Sequence, residues 1–482
     1  MQLAISIVNR HGLIAGATGT GKTKTLQLMS GQLSDHGVPV FVADVKGDLT
    51  GLAMPGDVTN PKVLERCSSI GWELTAKGHP VELLSISGAL GAQVRATVHS
   101  FGPMLLGKVM DPNETQTAVL GLVFKYCDDE QLPLLDLEDL RTTLLFLSSE
   151  DGKTVLDQYG GISKATVGVL PRSIVTLEQE GAGGFFGEPE FDVADLMRTT
   201  AEGAGVVSVL ELSDVMTRPR LFSTFMLWML AQLFEELPEV GDLPKPKLAF
   251  FFDEAHLLFH DASDALMDQI ELTARLVRSK AVGVYFVTQA PTDVPSSVLS
   301  QLGNRVQHAL RAFTPDDEDA LRKTARTFPK TEHYDLQETP TSLGIGEAAI
   351  TVLSPKGVPT PVAATRLVPP DSLMAAVDEA TRTTLIAGGA LRAKYMEPLD
   401  RESAHEIIAA RLQRAKAADD LPVPKGGKPK ARATRRVAKH PKRDGIGEDV
   451  KETVVGFGKD LLTTADGRQT LRSVFGVLFG KK

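Results

Sequence analysis

Eight consecutive residues, Gly16, Ala17, Thr18, Gly19, Thr20, Gly21, Lys22 and Thr23, fit the pattern G-x-x-x-x-G-K-[ST] at every position. A polyphosphate needs many donors at close range, and glycines let backbone N–H groups approach and point at its oxygens. A helix that begins at the end of such a loop adds the positive end of its dipole. Lys22 is then expected to reach the β- and γ-phosphates, and the Thr23 hydroxyl to ligate Mg²⁺. An ordinary glycine-rich turn would lack the flanks found here. Leu13-Ile14-Ala15 is a short apolar run before the loop, and Leu26, Met29 and Leu33 recur at helical spacing after it.

A second constellation lies far along the chain. Leu248-Ala-Phe-Phe-Phe252 reads as a buried parallel strand that ends in Asp253 and Glu254. At that place Asp253 would hold Mg²⁺ through water. Glu254, one residue on, would orient and polarise the attacking water as general base. The next apolar run, Val282–Val287, ends in Thr288-Gln289. The Gln289 amide there can hydrogen-bond both the γ-phosphate and the water. Asp44, Lys46 and Asp48 follow a further strand, Val38–Ala43; they either lie near the nucleotide or a neighbouring subunit, or form a solvated loop. His256 and His260 have the i, i+4 spacing of a zinc-binding helix. Leu257 stands where a zincin has glutamate, and no third ligand follows, so a helix-face or interface pair is the expected reading. Arg275, Arg278 and Lys280 crowd the end of a helix over residues 262–280. They complement its dipole, or one of them reaches the γ-phosphate of an adjacent subunit.

These residues can meet only if their strands run parallel, because in open α/β sheets the carboxyl ends face the ligand. The expected class is therefore α/β, a RecA-like P-loop NTPase core with a mostly parallel sheet and flanking helices. Residues 1–60 and 200–368 are assigned to that core, and 61–199 to a mainly helical insertion that accounts for the long interval between Lys22 and Asp253. Short strands are expected at 81–86, 96–99, 205–210 and 306–313, and a closing hairpin at 348–353 and 361–366. Helices are expected over 369–420. Residues 421–447 form a basic linker rich in Lys, Arg, Pro and Gly that cannot bury a core and reads as disordered. It is either a contact for nucleic acid or anionic lipid, or a solvated linker. Residues 448–482 read as an amphipathic segment that packs on its own protein or a neighbour.

Composition narrows the classes. The chain has 482 residues, 42% of them apolar, enough for a substantial core. A net charge of −9 gives no global nucleic-acid signature, so any such contact is local. Two distant cysteines, Cys67 and Cys127, fit neither a disulfide framework nor a zinc site. No signal-peptide pattern opens the chain and no run of 18 apolar residues occurs, so a cytoplasmic protein without a membrane span is expected.

No Asn-Lys-x-Asp element for guanine is present, and a Glu after the metal Asp with a Gln on the next strand reads as an ATP-hydrolysing motor. Five stretches carry a resemblance: Asn9–Thr23, Ala43–Gly51, Phe185-Phe-Gly-Glu-Pro189, Phe250–Phe259 and Gln301–Thr314. Over roughly residues 9–410 the chain resembles the bacterial HerA-like ATPases of the YjgR type, in the HerA/FtsK superfamily of hexameric translocases. The resemblance implies a homo-hexameric ring, ATP with Mg²⁺ bound between subunits, and an arginine donated in trans. By position Arg278, Arg305 and Arg311 are the candidates. HerA translocases proper carry an N-terminal β-barrel, for which a loop starting at Gly16 leaves no room. DNA as substrate thus comes with the resemblance alone. The expectation is an ATP-driven ring motor, a DNA translocase or helicase-like ATPase, with a ring ATPase that remodels or moves protein as the alternative. A nucleotide-gated assembly module with little hydrolysis is disfavoured by Glu254 and Gln289.

Overall fold

The computed structural model describes residues 3–110, 113–152, 155, 167–216, 218–259 and 264–419. Among them ten strands form one sheet: β1 (Gly12–Ala15), β2 (Val40–Asp44), β3 (Val81–Ser85), β4 (Ala92–Gln93), β5 (Val207–Glu211), β6 (Leu248–Phe252), β7 (Val282–Thr288), β8 (Asn304–Gln307), β9 (Glu347–Thr351) and β10 (Ala363–Arg366). Their spatial order is β10-β9-β8-β1-β7-β6-β2-β5-β3-β4. From β8 to β4 every neighbouring pair is parallel; β9 and β10 close the other edge antiparallel, as the expected hairpin. This is the mostly parallel sheet with flanking helices of a RecA-like P-loop NTPase.

The order decides where the chemistry can happen. Parallel pairing places the carboxyl ends of β1, β2, β5, β6 and β7 on one rim. Ala15 is level with Thr288, Phe286 with Phe252, and Asp44 with Glu211. The strand ending before Asp253 is not next to β1, because β7 lies between them.

The run Leu248–Phe252 is wholly buried because the sheet is covered on both faces. Successive side chains point to opposite faces. Phe250 stacks on Phe41 at 4.1 Å and Phe252 on Phe286 at 5.4 Å, while Phe251 stacks on Tyr285 at 4.9 Å. The layer of Phe251 also holds Leu26 and Leu33 of helix α1 (Lys22–Asp35). The opposite layer takes in the helices of the long intervening segment: α2 (Val98–Met110), α3 (Glu114–Glu130), α4 (Leu137–Ser148), α5 (Leu170–Gln179) and α6 (Pro219–Glu236). Helix α6 buries Phe225, Met226, Leu227, Trp228, Met229 and Leu230 in succession, the mark of a helix enclosed all round.

Some expected elements differ. Residues 61–199 are largely helical but also supply β3 and β4 to the sheet edge. The expected strand at 96–99 shrinks to one bridge, Ala96 to Phe186. Thr97 Oγ1 accepts the N–H of Ser100 at 3.1 Å, an N-cap that turns the chain into α2. The strand expected over 306–313 is confined to β8, so Arg311 lies in the segment after it. The helix expected at 262–280 is α7 (Asp264–Leu276) followed by a 3₁₀ turn, Val277–Lys280.

Beyond β10 the chain becomes a strap. Lys24 Nζ donates to Met374 O at 2.6 Å, which holds it to α1. Further on, the N–H groups of Ala390 and Leu391 donate to the Glu82 carboxylate at 3.1 and 3.3 Å. The expected helices of this region are α8 (Glu379–Gly388) and α9 (Ala404–Asp419), with a short turn at Arg392–Tyr395. The basic run and the terminal amphipathic segment lie outside the described residues, as does His260.

Candidate functional site

The loop between β1 and α1 owes its shape to glycine. Gly19 (φ 78°) and Gly21 (φ 115°) hold left-handed conformations that cost other residues energy. The loop is tied to the neighbouring strand ends: Gly16 N–H donates to Thr288 O at 3.2 Å and Ala17 N–H to Ala309 O at 2.8 Å. Lys22 folds back over it, its Nζ donating to Gly16 O at 2.6 Å and Ala17 O at 3.2 Å. Burial pulls the Lys22 ammonium below the ordinary lysine range, against the opposing pull of Glu254. Thr23 follows, half-buried.

Beneath the loop sits a residue that no sequence motif assigns a role, although it lies within Gln301–Thr314. His308 is fully buried, with Nε2 2.8 Å from Thr25 Oγ1. Burial holds its imidazole at about 4, so it is neutral near pH 7. A Cβ on Gly16 would stand 2.5 Å from His308 Cβ, which is why the loop can rest so closely on it.

Across the end of β7 stand the acids. Asp253 follows β6 directly, its N–H donating to Ala43 O at 3.2 Å. Burial, reinforced by the charges of Glu254 and Asp44, pushes its carboxyl up to about 7. Its Oδ2 is buried without a hydrogen-bond partner. Glu254 has φ 48°, uncommon for a residue with a Cβ. Its Oε1 accepts from Lys46 Nζ, and Oε2 lies 3.3 Å from His256 Nδ1. Asp44 is spoken for by the backbone: it accepts the N–H groups of Lys46, Gly47 and Leu49 at 3.1, 2.9 and 2.9 Å. One oxygen each from Asp44, Asp48 and Asp253 gather within 4.8 Å of one another. Orphaned oxygens on Asp48 and Asp253 make a hard, oxygen-seeking cation such as Mg²⁺ a chemical fit to this corner.

Glu211, at the end of β5 beside Asp44, carries no signal that sequence alone would single out. It is fully buried and both carboxylate oxygens lack a hydrogen-bond partner. Burial and the adjacent Asp44 push it up to about 8. A carboxyl whose folded pKa is raised stabilises most when protonated, so its contribution falls as pH climbs from the ordinary carboxylate range through 8. Glu211→Gln is therefore expected to gain melting temperature over the parent progressively from about pH 5 to about pH 8 and then level off. Nucleotide-free thermal unfolding across that range checks this; parallel curves would mean that Glu211 is not held protonated.

Gln289 is exposed, one residue past β7 and beside the loop. The three arginines are not equivalent. Arg305 is engaged within its own chain, donating to the carbonyls of Leu299, Leu302 and Thr327 at 3.3, 3.3 and 2.6 Å. Arg278 pairs with Asp242 at 3.3 Å before the start of β7, on the rim away from the phosphate loop. Arg311 is exposed past the carboxyl end of β8. A cleft of about 660 Å³ opens beside Gly21, Lys24 and Thr25 and runs to Arg66, Pro369 and Met374, room for the nucleoside half of a ligand.

The model of the family described as Helicase HerA-like C-terminal matches residues 1–482. Similar solved structures include the unbound monoclinic form of the bacterial conjugative coupling protein TrwBdeltaN70, 14% identical over 74% of this chain and 85% of that one, with a TM-score of 0.49. VirB4 of Thermoanaerobacter pseudethanolicus is 13% identical over 74% and 90% of the two chains, with a TM-score of 0.45. The genome packaging NTPase B204 from Sulfolobus turreted icosahedral virus 2, in complex with ATP-gammaS, is 8% identical over 75% and 98%, with a TM-score of 0.30. No curated protein matches the chain. Among the described residues no helix is long and apolar enough to cross a membrane.

Proposed function

The chain belongs to the HerA-like C-terminal helicase family, and from that premise we propose that it is an ATP-hydrolysing motor acting as a homo-hexameric ring, with DNA as the cargo. The observation that carries the hydrolytic reading is the shared rim. The loop Gly16–Thr23, the acids Asp253 and Glu254 and the amide Gln289 all follow carboxyl ends of parallel strands, with β7 between the two halves.

In this reading the backbone of Gly16–Thr23 and the Lys22 ammonium grip the β- and γ-phosphates. Thr23 and Asp253 would hold Mg²⁺, whose charge would offset that of the phosphate oxygens. Glu254 takes a proton from water as its oxygen bonds to the γ-phosphorus; the bond to the bridging oxygen breaks and ADP and phosphate result. Gln289 orients that water and senses the γ-phosphate. With Arg305 committed to three carbonyls of its own chain and Arg278 paired with Asp242, the exposed Arg311 is the better candidate for the arginine donated in trans.

The cargo is tested by turnover. ATP hydrolysis is expected to rise severalfold with added DNA, and DNA binding to weaken as salt increases. Turnover indifferent to single- and double-stranded DNA, with no measurable DNA affinity, would instead favour a motor that moves protein. A mass measurement with and without ATP tests the ring.

A further inference from the structure

Lys46 is paired with the proposed base, and its setting is that of a part made to let go. The backbone around it is fixed. Asp44 accepts three successive loop N–H groups, those of Lys46, Gly47 and Leu49. Gly47 holds φ 73°, and a Cβ there would stand 3.1 Å from Glu211 Oε2. The Lys46 side chain, by contrast, is 46% exposed, with solvent beside it, whereas that of Glu254 is 8% exposed. Glu254 cannot follow it. Its backbone is held at φ 48°, and the next N–H, of Ala255, donates to Val287 O at 2.8 Å. If the contact breaks, it breaks on the lysine side.

The pair has little to offer as a stabilising bridge. A partly buried ion pair gains little net free energy after desolvation. Glu254 Oε2 has no hydrogen bond to complete the arrangement. What the pair does is set a positive charge against Oε1, which makes the carboxylate a weaker base, while Oε2 is buried 3.3 Å from His256 Nδ1. Lys46 follows β2 and Lys22 closes the loop after β1, both at the carboxyl rim of the sheet. A triphosphate held at Lys22 with its γ-phosphate presented to Glu254 is thereby presented also to Lys46, which touches Glu254 Oε1, and it brings more negative charge than one carboxylate.

We propose that Lys46 is a positioning residue that exchanges partners on nucleotide binding: its ammonium leaves the Glu254 carboxylate for the γ-phosphate, and the carboxylate is released to accept the water's proton. This rests on Glu254 being the base. ADP has no γ-phosphate and leaves the pair closed, so the exchange distinguishes the two nucleotides.

The test compares the affinities of the full chain for ATPγS and for ADP, each with Mg²⁺, by calorimetry. Lys46→Met is expected to lose the preference for ATPγS over ADP by about tenfold, the worth of one charge-assisted contact, with ADP affinity unchanged. Lys46→Arg is expected to keep most of the preference. Glu254→Gln frees Lys46 from its partner and is expected to raise the preference a few-fold, which keeps the idea testable even if Lys46→Met folds poorly. A preference unaltered in Lys46→Met, or one that does not rise in Glu254→Gln, overturns the exchange and leaves a merely structural pair. Neither result depends on turnover. Failure of the base assignment is therefore separable: it would show as Glu254→Gln hydrolysing ATP at the parent rate.

Discussion

Glu254→Gln is expected to bind ATP at least as tightly as the parent and to hydrolyse it roughly 10²–10⁴ times more slowly. The amide keeps the size and shape of the side chain but cannot accept a proton. Nothing in the packing should suffer: the chain around Glu254 is held by backbone bonds, Asp253 N–H to Ala43 O and Ala255 N–H to Val287 O. Phosphate release under saturating ATP measures the loss, and an equilibrium titration with ATP confirms that binding survives. A glutamine variant within a factor of a few of the parent rate would remove Glu254 from the base role.

Lys22→Ala is expected to fail earlier, at binding. Lys22 is the buried cation at the loop, and its ammonium rests on the carbonyls of Gly16 and Ala17. Phosphate oxygens are stronger acceptors than those carbonyls, so the ammonium gains by transferring to them. Losing two or so charge-assisted bonds to the β- and γ-phosphates is expected to weaken ATP binding about a hundredfold. Turnover should be lost with it, and the rise in melting temperature that Mg²⁺-ATP gives the parent should disappear. A variant that still binds ATP at the parent affinity would move the phosphate site elsewhere.

Much of this site is legible in sequence because its determinants are local. Glycine spacing dictates the loop, an apolar run dictates each buried strand, and the acids sit at the end of one such run. Parallel pairing then does the rest, since strands joined by helical crossovers return with the same direction. What stays hidden depends on neighbours distant in the chain. Glu211 reads as a polar residue closing a strand, and only β2 beside it reveals a carboxyl sealed from water. His308 gains its meaning from Gly16, which packs onto it across the loop. Arg305 looks like a free cation until the carbonyls of Leu299 and Thr327 close around it. The strap over 371–403 offers no motif at all, because it is held by scattered single contacts such as those of Lys24 and Glu82. Within 61–199 the strand expected at 81–86 forms as β3, whereas the two-residue β4 is concealed, since its strand character depends on the sheet edge it joins.

The convergence of two chain segments on one phosphorus is tested most directly by a structure of the full chain with Mg²⁺, ADP and tetrafluoroaluminate, the mimic of a phosphoryl group in flight. The expected result has the planar fluoride group seated between the Lys22 ammonium and the Glu254 carboxylate, with a water on the Glu254 side, the metal between Thr23 and Asp253, and the nucleoside in the cleft beside Thr25. A nucleotide bound with its terminal phosphate turned away from the end of β6, or a Glu254 without access to the attacking water, would contradict it.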